Sequence, residues 1–379
     1  MEEGSSKKNK QTPAPTLTED LLREILARVP YKSLCRFKCV SRPWLALCSD
    51  PDLRKRSPQT LSGFFYRSST RPTYNRSRYR HHFTNLSGRG RPMVDPSLSF
   101  LPDYAEYEFL GCCNGLLLLE CRRISSEYEL DYLVCNPATE KWVVLPDSEI
   151  VGVTENVVGI CSRMYLCFDP AVSPHFKVFL LVQASHHERD YLRITGLKIY
   201  SSDTGGWSFK KSRWRDNDRV HLRPDGAFFN GTLHFITLDR SILAVDMEGK
   251  AWRRIPTPCN FSFIGLSHGR VYGMCNYRDN ASPVSIWVLE DYSGGQWVLK
   301  DTVTGPQLFG LHHLEYGILK LCPVVGIHPE SSLVFINVSL ERNLVSYDMD
   351  NKQVHDICTL GREYVHPSLP YIPCFSGWL

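Results

Sequence analysis

From residue 17 to about residue 56, apolar positions recur every three or four residues. Leu21, Leu22, Ile25, Leu26 and Val29 form one stripe of a helix that Thr18 can cap, with Glu19 and Asp20 in its first turn. Pro30 ends that helix. Leu34, Phe37 and Val40 make a second stripe, and Pro43, pre-set for a helix start, opens a third short helix carrying Trp44, Leu45 and Leu47. Asp50-Pro51 closes it. Three such helices are too little mass for a secure core. Their stripes are broad for their size, which predicts that a partner covers part of them.

From Leu61 onward the period changes to that of strands. Runs such as Leu116 to Leu119, Lys177 to Val182, Leu233 to Thr237, Ile242 to Val245 and Leu333 to Val338 alternate with Gly, Asn, Asp and Pro. No long helical pattern interrupts them. The region reads as all-β, and its roughly 300 residues exceed one simple sandwich.

A repeat runs through this region. An apolar run ends in a small polar residue, and six positions later stands a large apolar anchor. The pairs are Asn136 and Trp142, Ser201 and Trp207, Asp246 and Trp252, Asp291 and Trp297, and Asp348 and Val354. Turn formers lie between the members of each pair, which predicts a hairpin whose anchor wedges between adjacent sheets. A second hairpin is predicted earlier in several units, at Asn114-Gly115, Asn230-Gly231 and Ser267-His268-Gly269-Arg270. Two hairpins make four strands. Successive anchors are 65, 45, 45 and 57 residues apart, which is propeller spacing with insertions. The expectation is a β-propeller of six blades, with seven as the alternative. Gly63 to Tyr66 and Tyr371 to Phe375 are the candidates for a last blade built from both chain ends.

Composition narrows the setting. The 379 residues carry a net charge of only +4, too balanced for nucleic-acid binding by bulk charge. Met1 to Gln11 is polar and basic without an apolar run, so no secretory signal is expected. No stretch approaches the roughly 20 apolar residues of a membrane span. A cytoplasmic or nuclear setting follows, where most of the 14 cysteines should be small buried hydrophobes. No Cys-x-x-Cys pair occurs, so neither metal nor cofactor is expected.

Two sets of phrases resemble known families. Leu17-Thr18-Glu19-Asp20-Leu21-Leu22-Arg23-Glu24-Ile25-Leu26-Ala27-Arg28-Val29-Pro30, followed by Lys32-Ser33-Leu34, Arg36 to Ser41 and Trp44, resembles the F-box. One departure is Thr18, where the family usually has Pro. Gly115-Leu116-Leu117, Asn136-Pro137-Ala138-Thr139, Phe168-Asp169-Pro170, Asn230-Gly231-Thr232-Leu233-His234 and Ser346-Tyr347-Asp348 are similar to the kelch-like, F-box-associated propeller of plants. The resemblance implies a non-catalytic substrate receptor of a cullin-RING ubiquitin ligase. Its F-box would bind a Skp-type adaptor and its propeller an unknown target protein. Carried over for adaptor binding are Leu17, Leu21, Leu22, Ile25, Leu26, Pro30, Leu34, Val40 and Trp44, with roughly half facing the adaptor and the rest packing the module. The implied organisation is a disordered tail at 1–15, the F-box at 16–57, a connector with the first propeller strands at 58–100, and the propeller at 101–379. An adaptor-independent propeller scaffold is the second reading, kept open by Thr18.

Other chemistry is weaker. Ser201 to Trp207 resembles a sialidase aspartate box, but it is one residue short and occurs once, so a glycan-binding or glycosidase-like propeller is the remote alternative. The pairs His81-His82, His186-His187 and His312-His313 are poor chelates, since neighbours on a strand face opposite ways. Cys112-Cys113 reads as core. Arg67 to Arg91, with Tyr66, Tyr74 and Tyr79 interleaved, is the one basic cluster; it reads as a flexible connector rather than an RNA site. Target-binding residues are unknown. The loops Ser185 to Arg193, Asp216 to Pro224 and Tyr277 to Pro283 are where a target is expected to be read.

Overall fold

The computed structural model describes residues 17–29, 31–56, 61–69, 80–92, 94–101, 104–125, 129–148, 163–186, 189–211, 226–237, 239–275, 283–304, 307–308, 323–338, 343–360, 364–365 and 368–375. The expected tail at 1–15 lies outside them. The chain divides into two compact units, residues 1–58 and 59–379.

The first unit is helical: α1 (Glu19–Leu26), α2 (Tyr31–Phe37), α3 (Arg42–Cys48) and α4 (Pro51–Arg56). Thr18 caps α1, its hydroxyl accepting from the Leu21 N–H at 3.4 Å. Ser41 caps α3, accepting from the Trp44 N–H at 3.4 Å. Asp50-Pro51 closes the third helix as expected, and a fourth helix, not expected, follows it. Pro51, with φ pre-set and no N–H to satisfy, opens α4, and Asp50 accepts from the Asp52 N–H at 2.9 Å. The core is Leu26, Ala27, Leu34, Leu47, Cys48 and Leu53, with Leu22, Val29, Phe37 and Trp44 packed on it.

The second unit holds six antiparallel sheets. The closing sheet takes β1 (Gly63–Ser69) and β2 (Arg80–Asn85) from one chain end. The first to fifth blades follow. They are β3 (Tyr104–Cys113), β4 (Leu116–Arg123), β5 (Leu130–Asn136) and β6 (Lys141–Val144); then β7 (Arg163–Cys167), β8 (Lys177–His186), β9 (Arg189–Ser201) and β10 (Gly206–Lys211). The third has β11 (Gly226–Phe229), β12 (Thr232–Ile236), β13 (Ser241–Asp246) and β14 (Trp252–Pro256); the fourth has β15 (Phe263–Ser267), β16 (Arg270–Cys275), β17 (Val284–Asp291) and β18 (Gln296–Val303). The fifth has β19 (Val324–Ile327), β20 (Leu333–Val338), β21 (Asn343–Asp348) and β22 (Gln353–Thr359). The other chain end returns β23 (Tyr364–Val365) and β24 (Leu369–Tyr371) to the closing sheet, beside β1. Gly63 pairs with Tyr371, so both chain ends build this blade, as expected. The neighbours β24, β3, β7, β11, β15 and β19 form a closed ring of innermost strands. Six blades are present, not seven.

The local chemistry explains the hairpins. Between first and second strands, Asn114-Gly115, Asn230-Gly231 and His268-Gly269 all have positive φ at both positions, the twist that two-residue hairpins require. Between third and fourth strands, the polar residue caps the turn. Asn136, Asp246, Asp291 and Asp348 accept from the N–H groups of Ala138, Lys250, Ser293 and Asp350 at 2.7–3.0 Å. The turn then exits through a left-handed residue at Glu140, Gly205, Gly249, Gly295 or Lys352, which fixes the six-residue spacing.

Each seam between blades is a separate apolar core, and each anchor packs into the seam with the preceding blade. Trp142 joins Phe65, Leu117 and Tyr371 between the closing and first blades. Trp207 joins Leu118, Phe176 and Val178 between first and second. Trp252 joins Phe179 and Phe235, Trp297 joins Phe261 and Ile255, and Val354 joins Ile286 and Tyr347 in the next three. Trp207 and Trp297 also donate their indole N–H to Pro146 O and Pro256 O, each at 2.9 Å, across the seam. The sixth seam, with no anchor among the described residues, is filled by Phe64 and Phe335, whose rings meet edge on at 4.9 Å.

One expectation needs correcting. The stretch Arg67 to Arg91, read as a flexible connector, carries the end of β1 and all of β2, which pair along six residues; Arg67 and Arg80 are strand residues, and Arg67 forms an ion pair with Glu108. Apolar Phe83 in this stretch packs into the seam between the closing and first blades. Cys259 and Cys275 come together in the seam, their Cα atoms 6.5 Å apart, because the β15–β16 hairpin returns Cys275 beside the segment that enters the blade.

Candidate functional site

The helical unit does not bury its own apolar surface. Leu17, Leu21 and Ile25 remain 53%, 53% and 50% exposed. Leu21 and Ile25, one turn apart, share a face of α1, and Leu17 precedes its cap. Val40, in the turn after α2, and Leu45, on α3, are also exposed. Leu26 and Leu34, by contrast, are 2% and 0% exposed and form the core. Leu22 and Trp44 are half-buried against it, Trp44 edge on to Phe37 at 5.6 Å. Pro30 lies outside the described residues. The eight described residues of the nine marked in the sequence thus divide by burial: Leu17, Leu21, Ile25 and Val40 are exposed, Leu26 and Leu34 are buried, and Leu22 and Trp44 lie between.

Leu45 was not among the nine. Its signal was in the spacing of α3. Trp44, Leu47 and Cys48 share the face that meets the core, and Leu45, one position on from Trp44, falls outside it.

Ion pairs hold the helices that present these side chains. Arg23 on α1 bridges Glu19 at 2.9 Å and also pairs with Asp50, just before α4. Asp50 raises the Arg23 pKa, and Arg23 in turn holds the Asp50 carboxyl below its usual range. Arg56 on α4 reaches back to Glu24 at 2.6 Å and lowers its pKa. These pairs are solvent-exposed, so they orient the helices more than they stabilise them.

In the propeller, strand direction sorts the connections. The tight turns between first and second, and third and fourth, strands all lie at one end of the blades. The β8–β9, β10–β11 and β16–β17 connections leave from the opposite end. These are the three loops expected to read a target. Asp216 to Pro224, with residues 187–188 and 277–282 of the other two, lies outside the described residues.

The remaining candidates resolve individually. His81 and His82 face opposite ways from β2: His81 stacks on Tyr107 at 4.1 Å, and His82 stacks on Tyr66 at 4.8 Å. Burial pushes the His81 imidazole down to about 4. His312-His313 and His187 lie outside the described residues. Burial raises the Cys112 and Cys113 thiols, which suits core packing rather than redox chemistry. Ser201 to Trp207 forms the β9–β10 hairpin, with Tyr200 paired to Trp207. Among the described residues no three His, Cys, Asp or Glu side chains gather as a metal site. Among them, too, no helix is long and apolar enough to cross a membrane.

Comparison with known proteins follows the same division. Residues 15–56 match the family model of the F-box domain. Residues 96–363 match the model of the F-box protein At3g26010-like β-propeller. F-box protein At5g07610 of Arabidopsis thaliana is 26% identical, over 90% of this chain and 85% of its own length. Putative F-box protein At3g52320 of the same plant is 27% identical, over 90% of this chain and 86% of its own. Among solved structures, a chain of the nidogen/laminin complex superposes with a TM-score of 0.41 and 8% identity, covering 82% of this chain and 100% of that one. Neither kinship nor function follows from so low a likeness.

Proposed function

The chain belongs to the F-box proteins with an At3g26010-like β-propeller, and on that premise we propose that it is the substrate-recognition subunit of a Skp–cullin–F-box ubiquitin ligase. The F-box implies binding of a Skp1-type adaptor. The observation that carries the proposal is the exposed apolar set Leu17, Leu21, Ile25, Val40 and Leu45, left open by a unit that has already completed its core with other residues. So many exposed apolar side chains on so small a module call for a protein partner. The adaptor covers them and brings the cullin-RING ligase, while the propeller holds the target protein at the end opposite its tight turns. The chain does no chemistry of its own; it raises the local concentration of a target lysine near a remote enzyme. Its setting is the cytoplasm or the nucleus.

The test is co-purification of the full chain with a Skp1-type adaptor, beside Ile25→Asp and Leu21→Asp. A charge at either position is solvated in the free protein and buried unpaired in the complex. Stoichiometric binding by the wild type, lost at least tenfold in both variants with their melting unchanged, supports the proposal. Failure of the folded wild type to bind favours an adaptor-independent scaffold, with Thr18 as the first position to change to Pro.

A further inference from the structure

Five of the six blades are four strands deep, and the closing blade is three. There β23 and β24 lie end to end on one side of β1, and β2 lies on the other. No strand among the described residues pairs with the outer side of β2. The turn that should lead to a fourth strand is nonetheless present. Asn85 stands at the end of β2, where the other blades have their turn-capping polar residue, and its side-chain amide donates to Arg89 O and Arg91 O, each at 2.8 Å. Six positions on from Asn85, where an anchor belongs, is exposed Arg91. The chain then leaves the sheet. Val94, Leu98 and Leu101 pack into the seam with the first blade, and the N–H groups of Leu98 and Leu101 bond locally, to Asp95 O and Leu98 O.

The slot beside β2 has a defined chemistry. The Leu86 N–H bonds to Ser62 O at 2.9 Å, next to the β1–β2 pairing. Alternation along an antiparallel pair therefore turns the backbone groups of His82 and Thr84 towards β1 and those of His81 and Phe83 outward. The outward groups have no hydrogen bond among the described residues. In the other five blades the anchor pairs with the last apolar residue before the cap: Trp142 with Cys135, Trp207 with Tyr200, Trp252 with Val245, Trp297 with Leu289 and Val354 with Tyr347. The matching position here is Thr84, on the side of β2 that faces the fifth blade, since its partner Phe64 lies in that seam. At the margin of the seam Leu86, Ile357 and Cys358 are only partly buried. Exposed Arg80 marks one end of the slot, and exposed Arg89 and Arg91 mark the other.

We propose that a strand from another protein completes the closing blade: an extended segment with acidic ends and one large apolar side chain, added antiparallel to the outer edge of β2. Its backbone bonds to His81 and Phe83. Its apolar residue enters the sixth seam opposite Thr84. Acidic residues just before that residue meet Arg89 and Arg91, and one four positions after it meets Arg80. The five filled slots specify this occupant, because each shows what the chain itself places there. A second copy offering its own β2 would set arginines against arginines. The site lies on the rim of the ring, so it goes beyond the ligase reading and does not depend on the adaptor.

The probe is the peptide acetyl-Glu-Asp-Thr-Trp-Thr-Val-Thr-Glu with a dye at its C-terminal end, titrated into the purified full chain by fluorescence anisotropy. The expected Kd is about 100 μM or tighter. N-methylation of the two threonines that flank the valine, whose N–H groups face β2, weakens binding about tenfold. N-methylation of the valine, whose N–H faces away, leaves binding unchanged. By hydrogen exchange, the His81 and Phe83 amides exchange fast in the free chain and slow down with the peptide. Arg89→Glu combined with Arg91→Glu weakens binding several-fold, most at low salt, with melting unchanged. The proposal is overturned if the peptide does not bind, or if all the methylated forms bind alike. It is equally overturned if the two amides are already protected in the free chain, which would mean that the chain or a second copy fills the slot. None of these readouts uses the adaptor, so their failure leaves the ligase assignment untouched, and failure of adaptor binding leaves the slot intact.

Discussion

In the propeller, Trp142, Trp207, Trp252, Trp297 and Val354 each insert into a seam that the preceding blade covers. In the helical unit, Leu17, Leu21 and Ile25 have the same apolar character and a regular spacing, yet stay half exposed. The propeller repeats a sheet that cannot bury both faces alone, and six copies arranged in a ring cover one another. The helical unit has four short helices and no second copy to close against. Its core takes one set of side chains and leaves the adjacent set open. The same sequence signal, a periodic apolar residue, therefore means internal closure in one unit and an open apolar surface in the other.

Substitutions can break this contrast. The largest effect is expected at the closing blade, where Phe65 is fully buried. Phe65→Ala should cost about 3–5 kcal/mol, read as an earlier denaturant midpoint for the propeller. A small effect would mean that the chain ends do not seal the ring.

Acid supplies the next effect. His234 is almost wholly buried, bonded to Tyr292 Oη at 2.9 Å and stacked on Phe229 at 4.0 Å. Burial pushes its imidazole down from 6.5 to about 4. The unfolded chain therefore binds the proton first as pH falls. Stability is full above pH 6.5 and is lost progressively towards pH 4, by about 3 kcal/mol. His234→Gln should flatten the curve over that window, as measured by urea unfolding at a series of pH values. The helical unit has no such buried histidine among its described residues.

Leu26→Ala beside Ile25→Ala sharpens the contrast within one helix. Leu26, 2% exposed, should cost about 2–4 kcal/mol. Ile25, half exposed, should change folding by at most about 0.5 kcal/mol while weakening adaptor binding. Similar stability losses in the two variants would show that the exposed stripe is not a separate surface. Thermal melts with parallel pull-downs read both.

The smallest effects test the turns. Gly231 has φ of +68° with open space where a Cβ would sit, and Gly115 has φ of +90° with Cys374 N only 2.4 Å from that position. Gly231→Ala should cost about 1 kcal/mol from the left-handed backbone alone. Gly115→Ala should cost more, because the seam must also move; equal costs in chemical denaturation would remove Cys374 from the account.

Much of this was legible in the chain because it rests on local rules. Asn-Gly pairs demand a tight hairpin, a polar residue six positions before an anchor organises a turn, and helical spacing marks α1 and α3. The count of blades followed from the repeat interval and from two apolar chain ends. The division of Leu17, Leu21 and Ile25 from Leu26 and Leu34 was not legible, since all five are apolar at helical spacing and only the packing of α2 to α4 selects which side is covered. The strand β2, in a stretch rich in Arg and Tyr, was hidden by its composition, and only the fold shows its Phe83 packed into the seam between the closing and first blades. Cys259 and Cys275, 16 residues apart, lie in two segments that meet only in the seam between the third and fourth blades. Sequence alone determined the elements, the repeat and the kind of protein, because hydrogen-bonded turns and periodic burial depend on near neighbours. Tertiary structure alone decided which apolar residues stay exposed and which are buried, because burial and contact belong to the assembled chain rather than to any residue in it.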